Sequence, residues 1–272
     1  MKRVTMEDYV KEVTKRVLGR ESRIGFFRSD CMSFLQCVPS GTVDLMLIDP
    51  PYLISKPTGF ANGNNPDYDR LKVSMDFGEW DKDGFTVEQL SATLKEAYRV
   101  LRKGGTLICF FDLWKLTPLK EEMESNRFKQ LRFLEWVKTN PVPLNQSVNY
   151  LTNSREIALT GVKGGKPTFH GKYDNGIYSY PIEHGKDRFH PTQKSLRLFE
   201  DLVEKHSNPG DVVLDCFAGS ATTGVAALQT GRRFLGCEPD PDYFRKAGER
   251  LKRVSLECNP VDVATAQEAE AC

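Results

Sequence analysis

DVVLDCFAGSATTGVAALQTGRRFLGCE, residues 211–238, is the stretch whose reading decides the fold. Val212, Val213 and Leu214 form a short apolar run closed by an acid, which is how a strand buried on both faces of a parallel sheet reads. Cys216 to Gly224 are mostly small, Val225 to Thr230 carry a helix, and Phe234 to Cys237 form a second buried strand ending at Glu238. Strand, small-residue loop, helix, strand and terminal acid make one βαβ unit, and such units imply a mostly parallel sheet. Glu238 lies about 20 residues beyond the loop, the spacing at which an acid accepts hydrogen bonds from ribose hydroxyls. The expected ligand carries adenosine. Only Gly219 stands where a dinucleotide fingerprint wants three glycines, and no Gly-Lys-Ser/Thr follows, so a pyrophosphate has no evident cradle. Asp215 and Phe217 suit an uncharged or zwitterionic ligand better. A purely structural βαβ turn is the competing reading.

Upstream, Val43-Asp44-Leu45-Met46-Leu47-Ile48 reads as another buried strand and runs straight into Asp49-Pro50-Pro51-Tyr52. Ligands of open α/β sheets bind beyond the carboxyl ends of the strands, so these four residues face a crevice. Two prolines fix φ twice and remove two backbone donors, which leaves nearby carbonyls to accept from a ligand. Asp49 adds a carboxylate acceptor, and Tyr52 adds an aromatic face on which a planar ring can stack. The guest this set favours is planar and rich in donors, as the amino edge of a nucleobase is. A proline turn with an exposed acid is the alternative.

The chain has 272 residues, 39% of them hydrophobic, enough for one large α/β core. We expect a single domain over residues 1–272, with inserted loops at about 53–84 and 164–188. With 38 basic and 37 acidic residues the formal charge is +1, so any positive footprint for nucleic acid is local. Arg99, Arg102 and Lys103, then Lys163, Lys166 and Lys172, then Arg232 and Arg233 are the candidates, each weighed against an ordinary solvated face. The cysteines Cys31, Cys37, Cys109, Cys216, Cys237, Cys258 and Cys272 include no Cys-x-x-Cys pair, which argues against a zinc site or a disulfide framework. The charged N-terminus lacks an apolar h-region and no stretch approaches membrane length, so a cytoplasmic setting with no membrane partner is expected.

Coarse patterning places further helices at 7–18, 32–38, 86–102, 114–126, 190–206 and 242–253. Further strands are expected at 23–27, 106–111, 131–137 and 155–162. Residues 53–84 and 164–188 show no period and many turn-forming residues, which reads as long functional loops.

Three more elements join the two half-sites: Lys138-Thr139-Asn140-Pro141, His190-Pro191-Thr192-Gln193-Lys194, and Gly236-Cys237-Glu238 followed by Tyr243. With these five in this order the chain resembles the amino-group DNA methyltransferases, and among them the beta class, whose Asp-Pro-Pro-Tyr element precedes the Phe-x-Gly element. The resemblance covers about residues 24–252. It implies an α/β, Rossmann-like methyltransferase fold: a mixed, mostly parallel seven-stranded sheet with helices on both faces. It implies S-adenosylmethionine as cofactor and S-adenosylhomocysteine as product, held by Asp30, Cys31, Asp49, Thr192, Lys194, Asp215, Phe217, Gly219, Ser220, Thr222 and Glu238. In that set Glu238 takes the ribose, Asp30 lies near the adenine, and Phe217 and Gly219 sit beside the methionine or ribose. Thr192 and Lys194 close over the methionine moiety. The implied catalytic residues are Asp49, Pro50, Pro51 and Tyr52, and no metal is implied. Ala221 departs from a usual glycine, which sets the loop slightly wider of the cofactor, and Cys216 departs from a usual proline.

The resemblance implies a site-specific enzyme that methylates the N6 amino group of adenine by direct displacement on a flipped base. That amino group is a poor nucleophile, because its lone pair is delocalised into the ring. Asp49 Oδ and the Pro50 carbonyl can each accept one amino hydrogen and favour the tetrahedral nitrogen. Alignment for in-line attack supplies up to roughly 7 to 11 kcal/mol. Extruding the base from a duplex costs a few kcal/mol, and stacking on Tyr52 returns about 1 to 3 kcal/mol. Asp49 is on this reading an acceptor and orienter rather than a general base. The implied partner is DNA, duplex or single-stranded, contacted by the loops at about 53–84 and 164–188. A homodimer and a cognate restriction endonuclease stay open. N4 methylation of cytosine uses the same acceptors, although Ser stands more often in the place of Asp49 there. A catalytically silent nucleic-acid-binding module of the same fold is a further reading, marked by a broken Asp-Pro-Pro-Tyr or a lost ribose acid. A nicotinamide-dependent oxidoreductase is disfavoured by the missing glycines.

Overall fold

The structure is a computed structural model and describes residues 5–51, 86–141, 151–184, 188–190 and 192–258. Its strands are β1 (Ile24–Phe27), β2 (Val43–Ile48), β3 (Leu101–Phe111), β4 (Lys129–Lys138), β5 (Arg155–Val162), β6 (Ile177–Tyr180), β7 (Val212–Asp215) and β8 (Arg233–Cys237). Its helices are α1 (Met6–Leu18), α2 (Cys31–Cys37), α3 (Val87–Val100), α4 (Leu116–Ser125), α5 (Leu196–His206), α6 (Thr222–Gln229) and α7 (Pro241–Cys258), with a 3-10 turn at Leu113–Lys115. The strands form one eight-stranded sheet in the order β1-β8-β7-β2-β3-β5-β4-β6. β5 runs antiparallel to both neighbours, and every other described pair is parallel.

The sheet is buried on both faces because its central strands are apolar at both parities. Met46 and Ile48 of β2 join one cluster, with Phe34, Leu94, Leu107 and Leu119 under α1 to α4. Leu45 and Leu47 join the other, with Phe110, Leu202, Ala226 and Leu251 under α5 to α7. Each such side chain taken out of water contributes about 1.5 to 3 kcal/mol. Local chemistry fixes the helix starts. Thr5 and Asp8 close a capping box on α1, and Thr86 with Gln89 does the same for α3.

The expected class of fold is present, and the differences from expectation are local. The sheet has eight strands rather than seven, because β6 forms within the stretch read as loop. Four residues, IYSY, are too few to show a period, yet they pair in register with Glu135 to Lys138 of β4. Gly176, at φ +74°, turns the chain into that strand. α3 ends at Val100 and β3 begins at once with Leu101, so Lys103-Gly104-Gly105 lie inside a strand rather than closing the helix. α5 starts at Leu196 rather than near Pro191, because the backbone N–H of Leu196 is taken by Glu183 Oε1 at 2.8 Å and Lys194 is drawn aside into a charge network. Pro191 itself lies outside the described residues.

Several of the candidate cations for nucleic acid are staples instead. Arg99 donates to the carbonyls of Leu35 and Val38. Arg102 pairs with Asp44, and Lys163 donates to the carbonyls of Arg99 and Leu101. Arg232 binds Ser207, and Arg233 reaches Val17, Leu18 and Gly210. Arg102, Lys163, Arg232 and Arg233 cluster at the amino ends of the parallel strands.

Candidate functional site

Parallel strand order brings the tips of distant segments to one edge. β1 is followed there by Asp30, β8 by Glu238, β2 by Asp49 and Pro50, and β3 by Asp112, while β7 ends on Asp215. β5 runs the other way, so its first residues, Arg155 and Glu156, reach this same edge beside Lys138 at the end of β4.

One half of the site is the loop between β7 and α6. Asp215 is buried, its Oδ1 accepting from Phe217 N at 2.9 Å and its Oδ2 from Thr223 Oγ1 at 2.6 Å. Burial pushes its carboxyl up from 3.8 to about 7, against the lowering effect of those two bonds. Glu238 bridges loop and strand: Oε2 accepts from Gly219 N at 2.8 Å and Oε1 from Asp240 N at 3.0 Å. Burial raises its carboxyl too, partly offset by these backbone donors. Gly219 has φ +50°, and a Cβ there would stand 3.3 Å from His190 Nε2. The His190 ring lies 4.3 Å from Tyr243 between centroids, and burial lowers it to about 4, so it is neutral at pH 7. Thr192 Oγ1 sits 3.1 Å from its Nδ1. Ser220 and Thr222 face each other at 3.1 Å, and the Arg250 guanidinium ties both to α7 through the Ser220 carbonyl and Thr222 Oγ1.

Ala221 explains what its departure from glycine costs. It adopts φ +56° and ψ +36°, a left-handed conformation that α6 needs before its first turn and that non-glycine residues enter at a cost of about 1 kcal/mol or more. Its side chain is fully buried, in the cluster beneath the loop. Cys216, in the place of a proline, is also buried and accepts from Cys31 Sγ at 3.2 Å. Cys31 begins α2, whose N-cap Asp30 accepts from Ser33 N at 2.9 Å. Burial alone raises the Asp30 carboxyl, but the Ser33 and Met32 donors leave it below its ordinary value.

The loop fits an adenosine ligand chemically. A carboxylate has about four lone-pair sites, and two of those on Glu238 are used, which leaves capacity for ribose hydroxyls. Gly219, at φ +50°, leaves beside the His190 ring a notch that a Cβ would fill.

The other half is a row of alternating charges. Asp49 Oδ2 lies 2.9 Å from Lys194 Nζ, and Lys194 Nζ lies 2.5 Å from Glu156 Oε2. Glu156 Oε1 lies 2.7 Å from Lys138 Nζ. Lys194 is 6% exposed and rests over the Phe110 ring. Burial by itself raises the Glu156 carboxyl, but Lys194 and Lys138 together hold it below its ordinary value. Pro50 is buried and Pro51 half-buried at the tip of β2. Tyr52, the expected stacking residue, lies outside the described residues, as do residues 53–84. Asn140 clamps the segment that follows β6, its Nδ2 donating to the Ile182 carbonyl at 3.3 Å and its Oδ1 accepting from Ile182 N at 2.6 Å.

The structure thus joins Asp215 to Phe217 and Gly219 to Glu238 through direct bonds, and groups Asp49 with Lys194. Lys194, expected beside the cofactor, is bonded to two acids, Asp49 and Glu156. Glu156 was not foreseen. Its only sequence signal is a charged residue near the start of an apolar strand, and whether that end faces the site depends on the direction of β5.

The raised carboxyl of Asp215 has a measurable consequence. The folded state keeps a proton there that the unfolded state sheds, so the unfolded state binds fewer protons and stability falls as pH rises. The loss runs between the ordinary 3.8 and about 7 and is complete above that. Asp215→Asn removes this slope. Urea unfolding of both proteins across that range should show wild type losing stability relative to the variant as pH rises; parallel curves contradict it.

Comparison with known proteins shows the family. A family profile described as DNA methylase matches residues 43–249. The type II methyltransferase M2.DpnII of Streptococcus pneumoniae is 31% identical over 242 residues, covering 82% of this chain and 88% of that protein. The type II methyltransferase M.HinfI of Haemophilus influenzae is 29% identical, over 87% of this chain and 70% of its own. The crystal structure of the M1.HpyAVI–SAM complex superposes with a TM-score of 0.61 at 26% identity, covering 83% of this chain and 98% of that one. A cytosine-N4-specific PvuII DNA methyltransferase shares the fold, at a TM-score of 0.65 and 15% identity over 89% of this chain and 94% of its own.

Proposed function

The chain belongs to the DNA methylase family, and on that premise we propose that it methylates the N6 amino group of adenine in DNA. It is an S-adenosylmethionine-dependent DNA methyltransferase; the choice of base is the proposal. The observation that supports the methyl-transfer centre is the placement of Asp49 and Pro50 at the tip of β2, next in the sheet to the β7 loop that Glu238 closes, and the choice of adenine rests on Asp49 being an aspartate. When bound, S-adenosylmethionine supplies an electrophilic methyl group. The ribose falls to Glu238, the adenine to the Asp30 and Cys31 end of the edge, and the methionine moiety to the loop from Phe217 to Thr222 with Thr192 above it.

Asp49 and the Pro50 carbonyl accept the two amino hydrogens of the target base and fix the nitrogen in line. Asp49 is present where cytosine-N4 enzymes more often carry serine, which favours adenine. Tyr52, outside the described residues, supplies the stacking face. DNA contact falls to residues 53–84 and to the part of the second loop near the site. Residues 164–170 are not that part, because Thr168 is bonded to Arg102 and His170 to Asn208, both at the opposite edge. The test is transfer of labelled methyl from S-adenosylmethionine to unmethylated DNA, followed by identification of the modified nucleoside.

Gly219→Ala tests the cofactor half alone. A methyl group at φ +50° and 3.3 Å from His190 forces the loop to relax, so S-adenosylmethionine affinity falls roughly tenfold, the equivalent of the left-handed penalty. Calorimetric titration giving wild-type affinity contradicts this assignment of the loop.

A further inference from the structure

We propose that Glu156 is a positioning residue for methyl transfer: it fixes where Lys194 stands, and Lys194 in turn fixes the rotation and charge of the Asp49 carboxylate. The proposal rests on the methyl-transfer reading of Asp49 and adds a residue to it.

Asp49, Lys194, Glu156 and Lys138 form one unbroken chain of contacts at 2.9, 2.5 and 2.7 Å. They come from four places: the tip of β2, the segment before α5, the start of β5 and the end of β4. The row passes over β3, where Phe110 supports the Lys194 ammonium from below at 5.4 Å. Two carboxylates face two ammonium groups, so the row is neutral as a whole. Each oxygen of Glu156 takes one lysine. The carboxylate therefore cannot turn without breaking a contact.

This arrangement bears directly on the acceptor role of Asp49. A buried ammonium with one carboxylate partner places its whole field on that partner and makes it a weaker acceptor. Glu156 divides that field. It lets Lys194 hold Asp49 Oδ2 in a fixed position without neutralising the carboxylate that the amino hydrogens need. A displacement of about 1 Å at such a group costs on the order of 100-fold in rate. Among the described residues, Glu156 is bonded to Lys194 and Lys138 rather than to the loop that closes on Glu238, so its effect belongs to the chemical step and not to cofactor binding.

Two variants of the full chain test this. Glu156→Gln keeps the size and one acceptor but loses the charge. Glu156→Gln combined with Lys138→Gln also removes the outer ammonium, so the remaining Asp49–Lys194 pair stays balanced and folding is protected. Both should bind S-adenosylmethionine with wild-type Kd and lose kcat by about 100-fold, with KM for DNA little changed. Glu156→Asp should recover part of the loss. Wild-type kcat in the charge-balanced double variant, or a loss that follows weakened cofactor binding, overturns the proposal. Failure of the underlying reading looks different, since wild-type protein then transfers no methyl in the same assay.

Discussion

Asp49→Ala loses methyl transfer by about 100- to 1,000-fold in kcat while S-adenosylmethionine still binds. The size follows from what the carboxylate does. An exocyclic amino nitrogen has its lone pair in the ring, and it becomes a nucleophile only when its hydrogens are held out of the plane by fixed acceptors. Pro50 offers a neutral carbonyl acceptor. Asp49 offers the charged acceptor, anchored at Oδ2 by Lys194. Removal leaves one neutral acceptor and an unanchored base. Lys194 keeps Glu156 as a partner at 2.5 Å, so the fold does not acquire an unpaired buried ammonium. Cofactor affinity measured beside turnover separates this from a folding defect. A variant that binds cofactor and turns over like wild type contradicts the acceptor role.

Glu238→Ala has the complementary effect, raising the Kd for S-adenosylmethionine roughly 10- to 100-fold, the value of one charge-assisted hydrogen bond. Its two oxygens already order the loop by accepting from Gly219 and Asp240. Alanine removes the ribose acceptor and frees the loop together. Glu238→Gln retains an acceptor and should lose less. Saturating cofactor should restore turnover in Glu238→Ala but not in Asp49→Ala, and that contrast distinguishes the two halves of the site. Equal affinities for wild type and Glu238→Ala would remove the ribose assignment.

The sequence displays the βαβ half well because buried parallel strands and a terminal acid leave a local pattern: Val212 to Asp215 and Arg233 to Glu238 lie where the apolar runs place them. The same holds for β2 and its Asp-Pro-Pro tip. Less legible was anything set by strand direction or long-range pairing. β6 gains its structure from β4, not from its own four residues. Glu156 enters the site only because β5 is antiparallel. The ion pairs of Lys194 with Asp49, just past β2, and with Glu156 of β5 are likewise set by the fold. Ala221 shows the converse: the substitution is visible, while its left-handed backbone is a property of the fold.

The most direct test is to incubate the wild-type protein with labelled S-adenosylmethionine and unmethylated DNA at low salt, digest the DNA, and identify the labelled nucleoside by mass. The account requires the label on N6-methyladenosine of the deoxy series, appearing about 100- to 1,000-fold more slowly when Asp49 is alanine. Label on N4-methylcytosine would contradict the choice of base, and unlabelled DNA would contradict the methyl-transfer centre itself.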